Sequence, residues 1–312
     1  MENSSYNIEN VYNVFNKIDG YFYENNQNGT TSLLIDSLIH DYCHYGDTSG
    51  KDKCQNNYFK MASSGVIHLL KDLMDKNVSD YDKLAEYAIL WLSYKLNQNK
   101  KYSNTKLNEF YTKYIETNNY YNNKINGDGS LTYKDIINKN NDLMNIKEIS
   151  KFSYPFGILL SLYYLINNKK MDCTKYSEKA NEFVQNFETL NNDSNNIEKS
   201  SFSQILSTLS NDYKNIKKIY HGKKSCDLPS IPELILQKNP VKNSGETLGK
   251  TPEITSSSSI LNTVIPGLST FAIPVFLVVA YKYSLFGIDK LFQRQYIRIK
   301  LKKLKKKMKI NI

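Results

Sequence analysis

Near the C-terminus of this chain lies an uncharged apolar stretch, residues 260–281, with the sequence ILNTVIPGLSTFAIPVFLVVAY. About 20 apolar residues are needed to cross the roughly 30 Å hydrocarbon core of a bilayer, so the stretch is long enough. Its Pro and Gly residues are tolerated more readily in membrane spans than in soluble helices. A kinked core helix is the alternative, but a Ser/Thr run before the stretch and a Lys/Arg run after it favour a transmembrane helix.

The net charge of +10 belongs to the end of the chain rather than to a domain. Of the 41 basic and 31 acidic residues, 11 and one fall in residues 282–312, which leaves 30 of each sign in residues 1–281. A nucleic-acid-binding domain carries a basic face of its own, so this distribution argues against nucleic acid as a partner. Because Lys and Arg concentrate on the cytosolic side of a span, we expect a cytosolic tail and an exoplasmic N-terminal part, residues 1–259.

The basic tail, residues 282–312, also has an amphipathic pattern. Its apolar residues recur with helical spacing at Ile297, Leu301, Leu304 and Met308. The basic positions beside them are Lys300, Lys302, Lys303, Lys305, Lys306, Lys307 and Lys309. Such a helix suits an anionic leaflet, where each basic side chain contributes about 1 kcal/mol. A solvated tail that only stops translocation is the alternative, and the two interpretations are compatible. The lipid bilayer is the first partner that the sequence predicts.

Four cysteines, Cys43, Cys54, Cys173 and Cys226, all precede the predicted span. An even number on the exoplasmic side favours two disulfides over four reduced, buried thiols. Of the three possible pairings we favour Cys43–Cys54 with Cys173–Cys226, since the first pair closes a short loop rich in Gly and Lys. The N-terminus has no basic region followed by an apolar stretch, so no cleavable signal peptide is predicted.

Helical periodicity dominates the sequence before the span, and it contains no convincing alternating strand. The predicted helices are 62–74, 79–98, 102–116, 155–166, 173–190 and 201–220. Ser79 and Asp82 form a capping-box-like pair at the start of the second of these. Helix 155–166 is strongly apolar but too short to cross a bilayer, so it is expected in the core.

These patterns predict an all-α protein with four parts. A disulfide-braced helical bundle forms the ectodomain over residues 1–226. Residues 227–259 are rich in Pro, Ser, Thr and Lys and lack periodicity, so a flexible stalk is expected there. The transmembrane helix at 260–281 and the basic amphipathic C-terminal helix in the tail at 282–312 complete the chain.

One cluster of residues imitates a zinc site. His40, Cys43, His44 and Cys54 are metal-ligand types, but the spacing makes two of the ligands adjacent in sequence, unlike the usual zinc motifs. A disulfide with two surface histidines is the favoured interpretation.

Two further patterns imitate functional sites. Residues 126–132 look like the middle of an EF-hand loop, but Lys124 falls at the first ligand position and the shorter Asp135 at the last. A Gly-rich turn between helices is expected instead. His68 lies among aliphatic residues and is typical of a packed core residue rather than a base. We therefore predict no metal, no cofactor and no enzymatic activity.

Several segments together resemble the Plasmodium interspersed repeat (PIR) superfamily, the Yir/Bir/Cir variant antigens of rodent malaria parasites. The matching segments are Asp41-Tyr42-Cys43, Cys54, residues 63–67, residues 87–98, Lys151-Phe152, Cys173 with residues 179–181, residues 201–213, Cys226 with Pro229 and Pro232, and residues 281–298 with the Lys-rich end. The strings YAILWLSYKLNQ, SQILSTLSNDY and LFQRQY are the most specific. One departure is Cys43-His44, where members often have Cys-Pro.

The resemblance implies a variable protein on infected red cells or parasite-derived membranes. It implies a role in antigenic variation and immune evasion, and adhesion to a host-cell receptor; host antibodies would be further partners. The alternative hypothesis is an internal membrane trafficking or organising protein that acts through its basic tail. Both hypotheses assign function to binding surfaces and not to a catalytic centre.

Overall fold

A long helix at the centre of the part of the chain that the structure describes, α3 (Tyr81–Asn97), organises the fold. The computed structural model describes residues 7–27, 30–46, 54–78, 80–99, 101–146, 149–166 and 172–237. Within these ranges the other helices are α1 (Ile8–Asp19), α2 (Tyr58–Met74), α4 (Leu107–Phe110), α5 (Tyr133–Lys139), α6 (Asn141–Met144), α7 (Ser153–Ile166), α8 (Cys173–Asn191) and α9 (Ser201–Lys224). A π-helical turn, Tyr111–Ile115, continues α4, and short 3-10 turns lie at Ser37–His40, Asn119–Asn122 and Ile149–Phe152. The described part of the chain is therefore mostly helical.

The core is built on α3 and α7. Helix α3 packs against α2, α5 and α7, while α7 also packs against α1, α8 and α9. The Trp91 side chain in the middle of α3 is fully buried. Helix α7 is apolar on all sides and almost entirely buried, so the predicted core position of residues 155–166 is confirmed.

Among the described residues, one segment is long and apolar enough to pass a test for a membrane span, Ile149–Ile166. Of this 18-residue segment, 78% is buried inside the protein, as expected for a core helix. The predicted span at 260–281 lies outside the described residues, as does the basic tail at 282–312 with its lysines.

Two glycines allow the central helices to approach closely. A Cβ atom at Gly65 in α2 would lie 2.5 Å from Cη2 of Trp91, and one at Gly157 in α7 would lie 2.9 Å from Cε2 of Tyr94. Any larger residue would push a large aromatic side chain out of a filled interior. The α2–α3 and α3–α7 packing therefore depends on these two positions.

Polar side chains set where the helices begin. The Asp80 carboxylate accepts hydrogen bonds from the backbone N–H groups of Asp82 and Lys83, at 2.9 and 3.2 Å, and so caps α3. The predicted capping pair of Ser79 and Asp82 is therefore wrong about the cap, which is one residue later. Helix α9 runs to Lys224, four residues beyond its predicted end, and Ser225 ends it with a left-handed backbone (φ 53°).

The helix predicted at 102–116 begins five residues later, at Leu107. Residues 101–104 form turns instead, and the Tyr102 ring stacks on Tyr58 with centroids 4.5 Å apart. The same ring meets the edge of Phe59 at 4.8 Å. Packing of this aromatic side chain against α2 thus overrides the local helical pattern.

A β-hairpin is present where the all-α prediction has no strand. Strands β1 (Phe22–Gln27) and β2 (Thr30–Ile35) pair antiparallel, with Phe22 opposite Ile35 and Gln27 opposite Thr30. Their sequences are short and rich in Asn, Gln and Thr, so the alternation of polar and apolar residues is weak. The missed signal is the Asn28-Gly29 pair between them, which favours a two-residue hairpin connection.

Candidate interaction surface

The predicted cysteine pairing is confirmed by two disulfides in the structure. Cys43 is bonded to Cys54 with their Cα atoms 5.3 Å apart, and Cys173 is bonded to Cys226 with a Cα separation of 5.5 Å. Cys43, Cys54 and Cys226 are almost fully buried. No cysteine of the chain remains free. The two cysteines of the zinc-like cluster, Cys43 and Cys54, are bonded to each other and carry no thiol for a metal.

The side chain of Asn118 holds the backbone on both sides of Cys43. Its Nδ2 donates to the carbonyl of Tyr42 at 2.7 Å, and its Oδ1 accepts from the backbone N–H groups of His44 at 3.3 Å and Tyr120 at 3.1 Å. The Asn118 side chain is buried. Because one amide satisfies three backbone groups, the segments around residues 42–44 and 118–120 are fixed to each other.

Three half-buried rings belong to the residues whose backbone this amide holds, and we call Tyr42, His44 and Tyr120 the aromatic surface. The ring centroids of Tyr42 and Tyr120 are 4.4 Å apart, and those of His44 and Tyr120 are 5.3 Å apart. Partial burial raises the pKa of the Tyr120 hydroxyl, so it stays neutral at physiological pH. Partly exposed aromatic side chains on a fixed backbone are typical of contact positions in protein interfaces.

His68 packs against the aromatic surface. Its ring lies 4.3 Å from that of Tyr42 and 5.0 Å from that of Tyr21, and its Nε2 is 2.8 Å from the carbonyl oxygen of Leu38. Burial lowers the pKa of His68, which keeps the ring neutral. The prediction that His68 is a packed core residue is confirmed. The Lys71 amine donates to the Tyr42 hydroxyl at 3.3 Å.

The segment after Cys226 folds back along the helices, and we call residues 227–237 the strap. The Tyr213 hydroxyl donates to the carbonyl of Pro229 at 2.6 Å, and the amide of Asn191 donates to that of Glu233 at 2.7 Å. At its far end the backbone N–H of Gln237 donates to the carbonyl of Asn196 at 2.8 Å. The first 11 residues of the predicted stalk thus lie against α8 and α9, and the rest of the stalk is outside the described residues.

The segment that imitates an EF-hand is a turn, as predicted. Gly127 and Gly129 have positive φ angles of 79° and 87°, and a bridge pairs Lys124 with Thr132 across the turn. Asp135 forms a capping box with Thr132 at the start of α5, and these hydrogen bonds lower the pKa of its carboxyl. The residue counted as a metal ligand therefore caps a helix.

A buried carboxylate on α9 was not anticipated from the sequence. Asp212 accepts hydrogen bonds from the hydroxyls of Tyr12 at 2.9 Å and Tyr87 at 3.0 Å. Burial raises its pKa to about 6, although the ammonium of Lys83 nearby acts in the opposite direction. The three hydrogen-bonded side chains belong to α1, α3 and α9, so this carboxylate joins three helices.

A fully buried ammonium joins α3 to the end of α1. Lys95 Nζ lies 2.8 Å from Oδ1 of Asp19, and it also donates to the carbonyl of Phe22 at 2.6 Å. The Phe22 ring centroid lies 4.4 Å from the same nitrogen. The signal that could have revealed this pair is the position of Lys95 on a helix that is buried on every side, where a charge needs a partner.

A cavity of about 510 Å³ lies between the end of α3, the residues before α4 and the residues after α6. Its volume is in the range of small-molecule sites. Asparagine, serine and threonine side chains alternate with aliphatic ones in its lining, which also includes Lys106. Lys106 forms an exposed pair with Glu109 at 3.0 Å, so the lining presents no pair of buried acid and base groups.

The described helices and the two disulfides define a class of protein, a disulfide-braced helical domain. A family model described as Plasmodium variant antigen protein Cir/Yir/Bir matches residues 12–282. The chain belongs to this family of the PIR superfamily, and the resemblance noted in the sequence is confirmed. Membership of a variant antigen family indicates a surface or membrane location.

A solved structure of a Plasmodium PIR protein ectodomain is similar to the chain. The two are 31% identical with a TM-score of 0.55, and the match covers 74% of this chain and 98% of the other. No curated protein matches the chain.

Proposed function

We propose that the helical domain is the exposed part of a variant surface antigen, displayed on infected red cells or on parasite-derived membranes. The observation that carries the proposal is the use of every cysteine of the chain in two disulfides. Disulfides form and persist outside the reducing cytosol. Membership of the variant antigen family points to the same side of a membrane.

In this proposal the domain acts through its surface, which serves antigenic variation, immune evasion and adhesion. The aromatic surface is our candidate contact for a host-cell receptor or an antibody. Rigid Tyr side chains contribute contact area at a small cost in conformational entropy, since few rotatable bonds are immobilised. Asn118 and the Cys43–Cys54 disulfide hold that backbone before a partner arrives. No catalytic role is part of the proposal.

The display is tested by labelling intact infected cells with an antibody against the helical domain. We expect the domain to be labelled and cut by external protease without permeabilisation. An antibody against residues 300–309 should bind only after permeabilisation, because the proposal places the basic tail in the cytosol. A domain that is protected in intact cells and intact parasites would contradict the proposal.

The role of the aromatic surface is tested by measuring the adhesion of the full-length chain to host cells. Tyr42→Ala with Tyr120→Ala should reduce adhesion at least several-fold, because truncation of aromatic contact residues costs 1 kcal/mol or more, roughly fivefold in affinity. The matched control is Tyr81→Ala with Tyr111→Ala, which removes two partly buried tyrosines elsewhere. Equal losses in the two variants, at equal melting temperature, would remove the aromatic surface as the contact.

The second candidate is an internal membrane organiser, and the amphipathic basic pattern of the tail is what favours it. In that case replacement of the lysines between 302 and 309 by Gln should move the protein away from its membrane. An unchanged location after that substitution would leave the surface antigen as the better proposal.

A further inference from the structure

The second half of α9 presents one strongly basic face to solvent. The face consists of five residues related by i, i+3 and i, i+4 spacing, which places them on one side of the helix. They are Lys214, Lys217, Lys218, His221 and Lys224. The side chains of Lys214, Lys218 and His221 are exposed, and those of Lys217 and Lys224 are half-buried. We call these five residues the basic face, which extends about 15 Å along the helix axis.

Few acidic groups oppose this charge. Residues 213–226 contain no Asp or Glu. Exposed Asp227 lies 3.6 Å from Nδ1 of His221, and Lys224 has a contact of its own, so the positive charge of the face rests mainly on Lys214, Lys217 and Lys218. The Lys217 amine donates to the neutral hydroxyl of Ser230 at 2.8 Å. Glu9 contacts Lys223, which lies on another side of α9. The face therefore retains a net positive charge.

The neighbours of these lysines restrict the kind of partner. Exposed positions along the same side are filled by Asn211 and Ser225, which are small and polar. The exposed large apolar side chains of the described chain are Leu38, Ile235 and Leu236, none of them on α9. A protein interface needs an apolar or aromatic centre, and a helix that lies on a membrane needs an apolar face.

We propose that the basic face binds an acidic polysaccharide, a linear glycan that carries repeated sulfate or carboxylate groups. The row of ammonium groups is complementary in charge to such a polymer. Because the polymer is hydrophilic, its binding requires no burial of apolar surface. Binding of single-stranded nucleic acid uses aromatic stacking, which this face does not provide. The inference rests on the proposed display of the domain outside the cytosol, where such glycans are found on cell surfaces.

The test measures binding of the purified full-length chain to immobilised heparin, used as the probe. Every sample carries Gln at the seven lysines of the tail between 300 and 309, so that the tail does not contribute. The test variant replaces Lys214, Lys217, Lys218 and Lys224 by Gln. Since four charge contacts are removed together, we expect binding about tenfold weaker, or more. Added salt should weaken the parent protein more than this variant.

The matched control replaces Lys76, Lys101, Lys113 and Lys199 by Gln, four exposed lysines on other elements. It makes the same change in net charge and should bind within about twofold of the parent, because affinity requires the ordered row. Replacement of the same four α9 lysines by Arg should retain binding, since the positive charge remains.

Three results would overturn the inference. They are an equal loss in the test and control variants, no loss in the test variant, or competition by polyglutamate as strong as that by soluble heparin. The binding assay uses purified protein, so its outcome is independent of the labelling experiment. A domain that is displayed but does not bind heparin refutes the glycan partner alone. A domain that binds heparin but is not displayed refutes the proposed function.

Discussion

The carboxylate of Asp212 accepts a hydrogen bond from the hydroxyl of Tyr87 at 3.0 Å across the buried contact between α9 and α3. A second hydroxyl, that of Tyr12 on α1, donates to the same group. The two hydroxyls do not offset the loss of hydration, because burial still raises the pKa of Asp212 to about 6 from its ordinary 3.8. The helical domain therefore contains an acid that ionises at a cost in stability.

Stability should fall as pH rises through the pKa of Asp212. The folded-state pKa is above the unfolded one, so the favourable contribution is fully present below about pH 4 and is lost as the pH passes about 6. We expect Asp212→Asn to raise the free energy of unfolding at pH 7.5 by about 1–3 kcal/mol, and to change it little at pH 4.

Denaturant unfolding at the two pH values measures this difference. The control is Asp128→Asn, at a fully exposed position, where the substitution should change the free energy of unfolding by less than about 0.5 kcal/mol. A stabilisation by Asp212→Asn that is the same at pH 4 and pH 7.5 would mean that the carboxylate does not ionise in this range.

The buried ion pair between Lys95 and Asp19 should be costly to break from one side. Asp19→Asn leaves the ammonium without its counter-charge, and we expect a loss of about 3–5 kcal/mol in the free energy of unfolding. Lys95→Met should cost a similar amount, and the double variant less than the sum of the two.

Chemical denaturation of the four proteins of this double-mutant cycle provides the coupling energy. The comparison is the exposed pair of Lys106 and Glu109, whose removal should change stability by less than about 1 kcal/mol. Additive effects at Lys95 and Asp19 would show that each side chain acts independently of the other.

Gly65 should not tolerate a methyl group. In Gly65→Ala the new Cβ would overlap the Trp91 ring, and overpacking of this kind typically costs about 1–3 kcal/mol. Gly222→Ala is the matched control, because nothing lies within 4 Å of its Cβ position and Ala favours the helix. Thermal unfolding should give a lower melting temperature for Gly65→Ala and an equal or higher one for Gly222→Ala. Equal melting temperatures would contradict the close approach of α2 and α3.

Removal of the second disulfide should release the strap. In Cys173→Ser with Cys226→Ser we expect faster hydrogen exchange at the backbone N–H groups of Ile235 and Gln237, together with a loss of about 2–5 kcal/mol in stability. Cys43→Ser with Cys54→Ser is the control, and its faster exchange should be confined to residues near the aromatic surface. Unchanged exchange in the strap would mean that its hydrogen bonds alone hold it.

The helices and the cysteine pairing followed from the sequence because both have local signals. Apolar residues at helical spacing identified α2, α3, α7, α8 and α9, although caps and packing moved several ends. The bounds of α4 could not be derived in the same way, since Tyr102 packs against α2, which is distant in sequence. The β-hairpin was missed because its strands have weak alternation and only the Asn28-Gly29 pair indicated it.

The supports of the aromatic surface had no local signal. Asn118 is one asparagine among many in the chain, and its role depends on residues more than 70 positions away, Tyr42 and His44. Asp212 likewise looks like an ordinary charged residue of a helix, and only the packing of other helices around it reveals that it is buried. Tertiary contacts of this kind are set by the fold as a whole and not by spacing.

The strap also determines how the domain responds to tension. A pull on Gln237 would separate the strap one hydrogen bond at a time, beginning at Asn196 and moving toward Pro229. Peeling ends at Cys226, because the covalent bond to Cys173 shares the load between the end of α9 and the first turn of α8. A pull through the C-terminal side therefore lengthens the molecule by a fixed amount before any helix is stretched.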